Sequence, residues 1–349
     1  MTMGSNSRAV ALCVLAAFAP CGSGFAQTQD IPADAMVRVD ARTKQVINGA
    51  LNYLASKQHL DGSWSVKEGL AGHPVAMTGY TLLAFMATGN LPDEGEYAKN
   101  VSAGMQFLLD SIQPDGTFRN VSTGQYMYNH AIATIALAEL YGQGRSTAIR
   151  PKLERAVGVI LKAQNDTGGW RYNTSSRDAD ISVTVLQTVA LRAAQDAGMA
   201  IPQGAIDRAI AYVRSCYSPT SGGFSYQPGK PPGFARTAAA IYSLQVLGKY
   251  DDPMVKAGSA YLFANVKDHQ FFSYGNYYAA PAQYMIGGET WRNWYAQVKE
   301  KLLGAVLQDG NMDYWDLKLD SNGVGPLFTT AVYVHILAMP YHFVPLYQR

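Results

Sequence analysis

The 349-residue sequence predicts an all-α architecture, an (α/α)6 toroid in which six outer–inner helical hairpins close into a ring. Three observations predict it. A glycine-bearing turn recurs as QHLDGSW at 58–64, QPDGTF at 113–118 and QNDTGGW at 164–170, with looser copies SPTSGGF at 218–224 and QDGNMDYW at 308–315. The first glycines of four copies, Gly62, Gly116, Gly168 and Gly222, stand 54, 52 and 54 residues apart, a period that suits one helical hairpin per repeat. The segments on the two sides of each turn also differ in kind: amphipathic before it, almost uncharged after it.

Taken in order, the segments before the turns are 39–58, 98–113, 150–164 and 204–217. Apolar residues recur there at three- and four-residue spacing with Lys, Arg, Asp and Gln between them, which predicts helices with one buried face. The segments after the turns, 74–89, 129–142, 180–198 and 234–248, are apolar nearly all round, and a helix of that kind must be covered on most sides. The first set is therefore expected outside and the second inside. A fifth pair is read as an outer helix over 252–266, an aromatic turn FFSYGNYY at 271–278 and an inner helix over 279–288. The sixth is 289–308, the turn DGNMDYW, and 325–343. Neither end shows the polar cap an open solenoid needs, so closure is expected. In each turn glycine reverses the chain, the Trp or Phe ring packs on the neighbouring hairpin, and the Gln serves backbone groups freed at the helix end.

Composition narrows the function. At 48% hydrophobic, 15% charged and a net charge of +2, the chain has a large core and no electrostatic pull on nucleic acid. Arg8, an apolar run over 9–19 and the small residues before Ala26 read as a secretory signal over 1–26, too short to span a bilayer. The expected product is secreted or periplasmic, with a short extension over 27–36 and one toroid domain over 37–349. Peripheral membrane contact stays open, as does the oligomeric state. Cys13 and Cys21 leave with the signal, so Cys216 remains without an intrachain disulfide partner. No metal spacing or cofactor fingerprint occurs, and no metal or cofactor is expected.

The turns QHLDGSW, QPDGTF and QNDTGGW resemble the QW repeats of squalene–hopene and oxidosqualene cyclases and the related turns of protein prenyltransferase β subunits. GGFSYQPGKPPGFARTAAAIYSL at 222–244 is similar to the prenyltransferase segment with a PGK loop and an inner helix. The resemblance implies the toroid over roughly 40–340. It does not extend to the zinc site of the prenyltransferases, because Arg236 stands where that family has a histidine and the mature chain has no Asp-x-Cys.

For class II terpene cyclases the resemblance implies an Asp-x-Asp-Asp acid that protonates an alkene. Asp178-Ala179-Asp180-Ile181 stands at the matching place. On that register Asp180 falls on the proton donor and Asp178 on its partner, while Ile181 replaces the last aspartate. The residues alone favour Asp180 as an N-cap of the helix that follows. A second cluster, Tyr126, Tyr128, Asn129 and His130, opens an inner helix, with His130 as a candidate for proton transfer. Arg236, Tyr274, Tyr277, Tyr278 and Trp315 join them as candidate ligand contacts at the mouth of the ring. Three functions stay open at this stage: an isoprenoid-acting enzyme or binder of an apolar ligand, a periplasmic glycan-active enzyme of lyase type, and a non-catalytic binding scaffold.

Overall fold

The computed structural model describes residues 37–67, 69, 72–121, 123–144, 146–267, 271–316 and 324–347. The expected signal and N-terminal extension lie outside the described residues. The outer helices are α1 (Ala41–Ser56), α3 (Ala98–Ser111), α5 (Arg150–Ala163), α7 (Gln203–Ser215), α9 (Pro253–Ala264) and α11 (Gly288–Gly304). The inner helices are α2 (Pro74–Ala87), α4 (Tyr126–Gly144), α6 (Ile181–Asp196), α8 (Phe234–Val246), α10 (Phe272–Ile286) and α12 (Pro326–Ala338). Neighbouring inner helices pack in chain order, and α12 returns to pack on α2, which closes the ring.

The seam is made by the first and last hairpins. Asn52 Nδ2 donates to Asn311 O at 3.1 Å, Lys299 Nζ pairs with Asp40 at 2.8 Å, and Tyr53 stacks on Tyr314 at 5.0 Å. Gly49 lets α1 lie against the sixth hairpin, since a Cβ there would fall 2.0 Å from Asp313 Oδ2.

The recurring turn is a hydrogen-bonded joint. Trp64, Trp170 and Trp315 are fully buried, and their indoles donate to Leu54 O (2.7 Å), Ile160 O (2.8 Å) and Leu302 O (2.8 Å) near the end of the preceding outer helix. The backbone amides of Trp64, Trp170, Phe224 and Trp315 donate to Thr78, Thr184, Thr237 and Thr330 on the following inner helix. Gln164 Nε2 donates both to Gly168 O in its own turn (2.8 Å) and to Ala205 O of the next outer helix (2.9 Å), and Gln58 does the same with Gly62 and Asn100. Gly168 has φ +90°, and a Cβ there would lie 2.3 Å from Arg208 O. Glycine is thus required twice, for a left-handed backbone and for the approach of the next hairpin.

Two readings need correction. The stretch 271–278 is not a turn: α10 begins at Phe272, and Phe271 stands immediately before it in the left-handed region at φ 58°. Pro281 sits well inside this helix, beyond the first turn where proline is best tolerated. The sixth turn is a short antiparallel hairpin of β1 (Leu307–Asp309) and β2 (Met312–Tyr314), which packs against α1.

Candidate functional site

All six outer-to-inner connections reach the same end of the ring, at the N-termini of the inner helices, and there three modules interlock. The Asp180 amide donates to Trp170 O (3.1 Å), the Ile181 amide to Tyr226 O (3.0 Å) and the Met127 amide to Tyr172 O (2.9 Å). Gln227 Nε2 ties the fourth module to Ala179 O at 2.9 Å. These bonds bring Asp178, Asp180, Arg171, Tyr128, Tyr172 and Tyr226 into one cluster at the head of α6.

Asp180 is fully buried and caps α6, its Oδ1 accepting from the Val183 amide at 2.9 Å. Oδ2 makes no hydrogen bond of ordinary geometry and faces Arg171 Nε at 3.4 Å, with the Tyr226 hydroxyl near enough to the carboxyl to favour its ionised form. Burial pushes the carboxyl up to about 6, against the pull of the Val183 amide, the Tyr226 hydroxyl and Arg171. Asp178 is exposed and pairs with the Arg171 guanidinium. Arg171 in turn lies over the Tyr172 ring at 5.2 Å and the Tyr226 ring at 6.0 Å, whose hydroxyls meet at 2.5 Å. The cap and the protonatable carboxyl are therefore the same group, one function on each oxygen.

Below this cluster the ring is lined with aromatic rings. Tyr80, Tyr128 and Tyr274 are all pushed up by burial, yet each keeps accessible surface. These three rings are set among protein yet keep exposed surface, unlike the fully buried rings of the joints. Tyr80 packs edge-on against Tyr277 (5.4 Å) and Phe328 (5.1 Å), Tyr274 against Tyr278 (4.8 Å), and Tyr277 against Tyr278 (5.1 Å). The Tyr274 hydroxyl donates to Ser182 O at 3.2 Å, two residues beyond Asp180.

The other sequence candidates are spent elsewhere. His130 takes the place that threonine holds in four other modules. Its Nε2 donates to Ala156 O at 2.9 Å, which leaves Nδ1 to accept from the Tyr126 hydroxyl at 3.2 Å, and that hydroxyl accepts from the Phe118 amide at 3.0 Å. Burial lowers the imidazole to about 4, so it is neutral. Asn129 Nδ2 donates to Gln125 O, Arg236 donates to Pro231 O, and Trp315 is the sixth module's joint ring. His130→Ala is expected to lower stability by about 2–4 kcal/mol by stranding the Tyr126 hydroxyl and the Ala156 carbonyl. Chemical denaturation measures it, and an unchanged midpoint would show that the joint tolerates the loss.

Arg171, Tyr172 and Tyr226 were not singled out from the sequence, though a signal existed: Trp170-Arg-Tyr172 and Phe224-Ser-Tyr226 place a tyrosine two residues after the joint ring. Among the described residues, no group of His, Cys, Asp or Glu could hold a metal ion, and no helix is long and apolar enough to cross a membrane.

With this geometry in hand, comparison with known proteins is informative. The prenyltransferase alpha-alpha toroid domain matches residues 32–175 and 180–270. Drimenyl diphosphate synthase of Streptomyces showdoensis is 26% identical over 192 residues, covering 54% of this chain; the match spans only 33% of that enzyme's own length. Among solved structures, a type II terpene cyclase from Scytonema, in complex with geranylgeranyl dihydroxybenzoate, superposes with a TM-score of 0.58 at 14% identity, covering 87% of this chain and 99% of the cyclase. An inactive variant of an α-1,6-mannanase from Salegentibacter sp. HEL1_6, in complex with α-1,6-mannotriose, superposes with a TM-score of 0.60 at 8% identity, covering 86% and 99%. At these identities the structures show a shared fold, and that fold serves both an isoprenoid and a glycan.

Proposed function

The chain belongs to the prenyltransferase alpha-alpha toroid family, and on that premise we propose that it is an exported protein that takes an isoprenoid or other apolar chain into its tyrosine-lined hollow, with Asp180 as the acid. The observation that carries this reading is the Asp180 carboxyl, buried at the head of α6 with Oδ1 held by the Val183 amide and Oδ2 left to carry a proton. Burial keeps that proton on to a higher pH than for an ordinary aspartate. When the proton goes to an alkene, the carboxylate left behind is stabilised by the Val183 amide and by Arg171 at 3.4 Å. The developing cation meets the faces of aromatic rings rather than water. Asp178 holds Arg171 in place from the solvent side.

The test is incubation of the purified protein with acyclic polyprenes of 15 to 30 carbons, reading bound lipid by native mass spectrometry and cyclised products by gas chromatography. Retention of a polyprene at one per chain supports the reading, and cyclised product adds the acid role. If no polyprene is retained, the reading fails. A glycan reading rests on a different feature, the exposed Asp178 beside the buried Asp180, since two carboxyls in unlike environments suit an acid and a base. Retention of α-1,6-linked manno-oligosaccharides in place of polyprenes would favour it.

A further inference from the structure

A backbone contact that builds the candidate site recurs in the ring, and where the ring closes it is left open. The Ile181 amide, three residues before Thr184, donates to the carbonyl of Tyr226, two residues after the next joint ring. The Met127 amide donates to Tyr172 O in the same register. Where the sixth hairpin meets the first, the matching residues are Leu327, three before Thr330, and Val66, two after Trp64. Among the described residues no hydrogen bond joins that pair, and the Val66 amide turns instead to Gly72 O at 3.1 Å. A cleft of about 220 Å³ opens there, lined by Leu327 and Val66, by Tyr53 and Lys57 of α1, and by His59 and Ser65 of the first joint. In a ring of six hairpins it lies opposite the junction of the third and fourth, where Asp180 stands.

We propose that this cleft is a second binding site, separate from the Asp180 chemistry, for a small ligand that carries one carboxylate on a short apolar body. Its volume is below the roughly 300–1,000 Å³ of a site for a drug-sized molecule, which limits the occupant to a single ring or a short chain. Val66, Pro326, Leu327 and the Tyr53 ring supply the apolar wall, and that ring is itself held by stacking on Tyr314 at 5.0 Å. The polar groups are of another kind. Lys57 Nζ lies 5.1 Å from the centre of the Tyr53 ring and forms no ion pair among the described residues. His59 Nε2 and Ser65 Oγ meet at 3.0 Å, and with the imidazole as donor in that contact the hydroxyl hydrogen is free for a ligand.

A carboxylate matches these groups in charge and in hydrogen bonding. Both of its oxygens only accept, and the cleft offers an ammonium and a hydroxyl as donors. A ligand cation would instead be repelled by Lys57, and a neutral alcohol of the same shape would keep the apolar contacts but lose the charge pairing. Asp61, which would oppose an anion, is spent within its own joint: Oδ1 accepts from the Ser63 amide at 3.0 Å and from the Ser63 hydroxyl at 2.7 Å. Because Lys57 is exposed, its pairing with a ligand is modest in strength and is screened by salt.

The experiment titrates the protein with benzoate and with benzyl alcohol, its neutral counterpart, by ligand-observed NMR at low and high salt. Wild type, Lys57→Met and Ser65→Ala are compared. Benzoate is expected to bind about ten-fold more tightly than the alcohol at low salt, and to lose much of that advantage at high salt. Lys57→Met, which keeps an apolar stem and removes the charge, is expected to weaken benzoate about five-fold and leave the alcohol unchanged. Ser65→Ala is expected to weaken benzoate about three-fold. Benzoate that does not bind, that binds no better than the alcohol, or that keeps its full affinity in both variants would overturn the site. None of these results bears on polyprene binding, so the reading of Asp180 stands or falls separately.

Discussion

Asp180→Asn is expected to abolish most polyprene turnover, by a factor of about 10² to 10⁴, without unfolding the protein. Asparagine caps a helix as well as aspartate does, so the bond from the Val183 amide survives and only the protonatable oxygen is lost. The variant also separates the two roles by pH. Burial holds the folded carboxyl up to about 6 while the unfolded one titrates like an ordinary aspartate at about 3.9, so ionisation disfavours the folded form: its contribution is most favourable below about pH 4 and is lost as pH rises through 6. The asparagine variant escapes that loss. Its stability relative to wild type should therefore rise by about 2.5 kcal/mol between pH 4 and pH 8, read from denaturation midpoints at the two pH values. Full turnover in the variant would remove Asp180 as the acid, and a pH-independent difference would show that the carboxyl is not buried as described.

Trp170→Ala carries the largest expected loss of stability, about 3–5 kcal/mol. The fully buried ring fills the joint between α5 and α6 of the third hairpin, and its indole donates to Ile160 O at 2.8 Å. Removal leaves a cavity and an orphaned carbonyl together. The loop that follows the ring carries Arg171 and Tyr172, so the damage should reach the site as well: the polyprene affinity of the surviving folded protein should fall. Trp170→Phe, which keeps most of the ring volume but not the donor, should recover the larger part of the stability. A melting temperature within a few degrees of wild type for Trp170→Ala would mean that the joints do not hold the ring.

Much of this architecture is legible along the chain because each joint is local. A glycine at positive φ, a ring two residues later and a helix of known polarity on each side all lie within one repeat. The aromatic start of α10 misleads for the same reason: Phe271 supplies the left-handed residue that glycine supplies elsewhere, so the marker is missing. The site is legible only in part. Asp180 at the head of α6 follows from the sequence, since capping depends on residues three apart. That one of its oxygens stays unbonded, and faces an arginine held by two tyrosines from different repeats, does not. His130 shows the converse, as a residue type associated with proton transfer proves to be fully engaged in the wall.

The sequence by itself determined the repeat: its period, the order of outer and inner helices, and the acid at the third inner helix. Only the tertiary structure decided what those helices enclose. Closing the ring packs α4 and α8 on either side of α6 and sets Arg171 of the third hairpin over the Tyr226 ring of the fourth, 6.0 Å away. Burial, which shifts an acid's proton affinity, belongs to the assembled ring, and no stretch of a dozen residues encodes it.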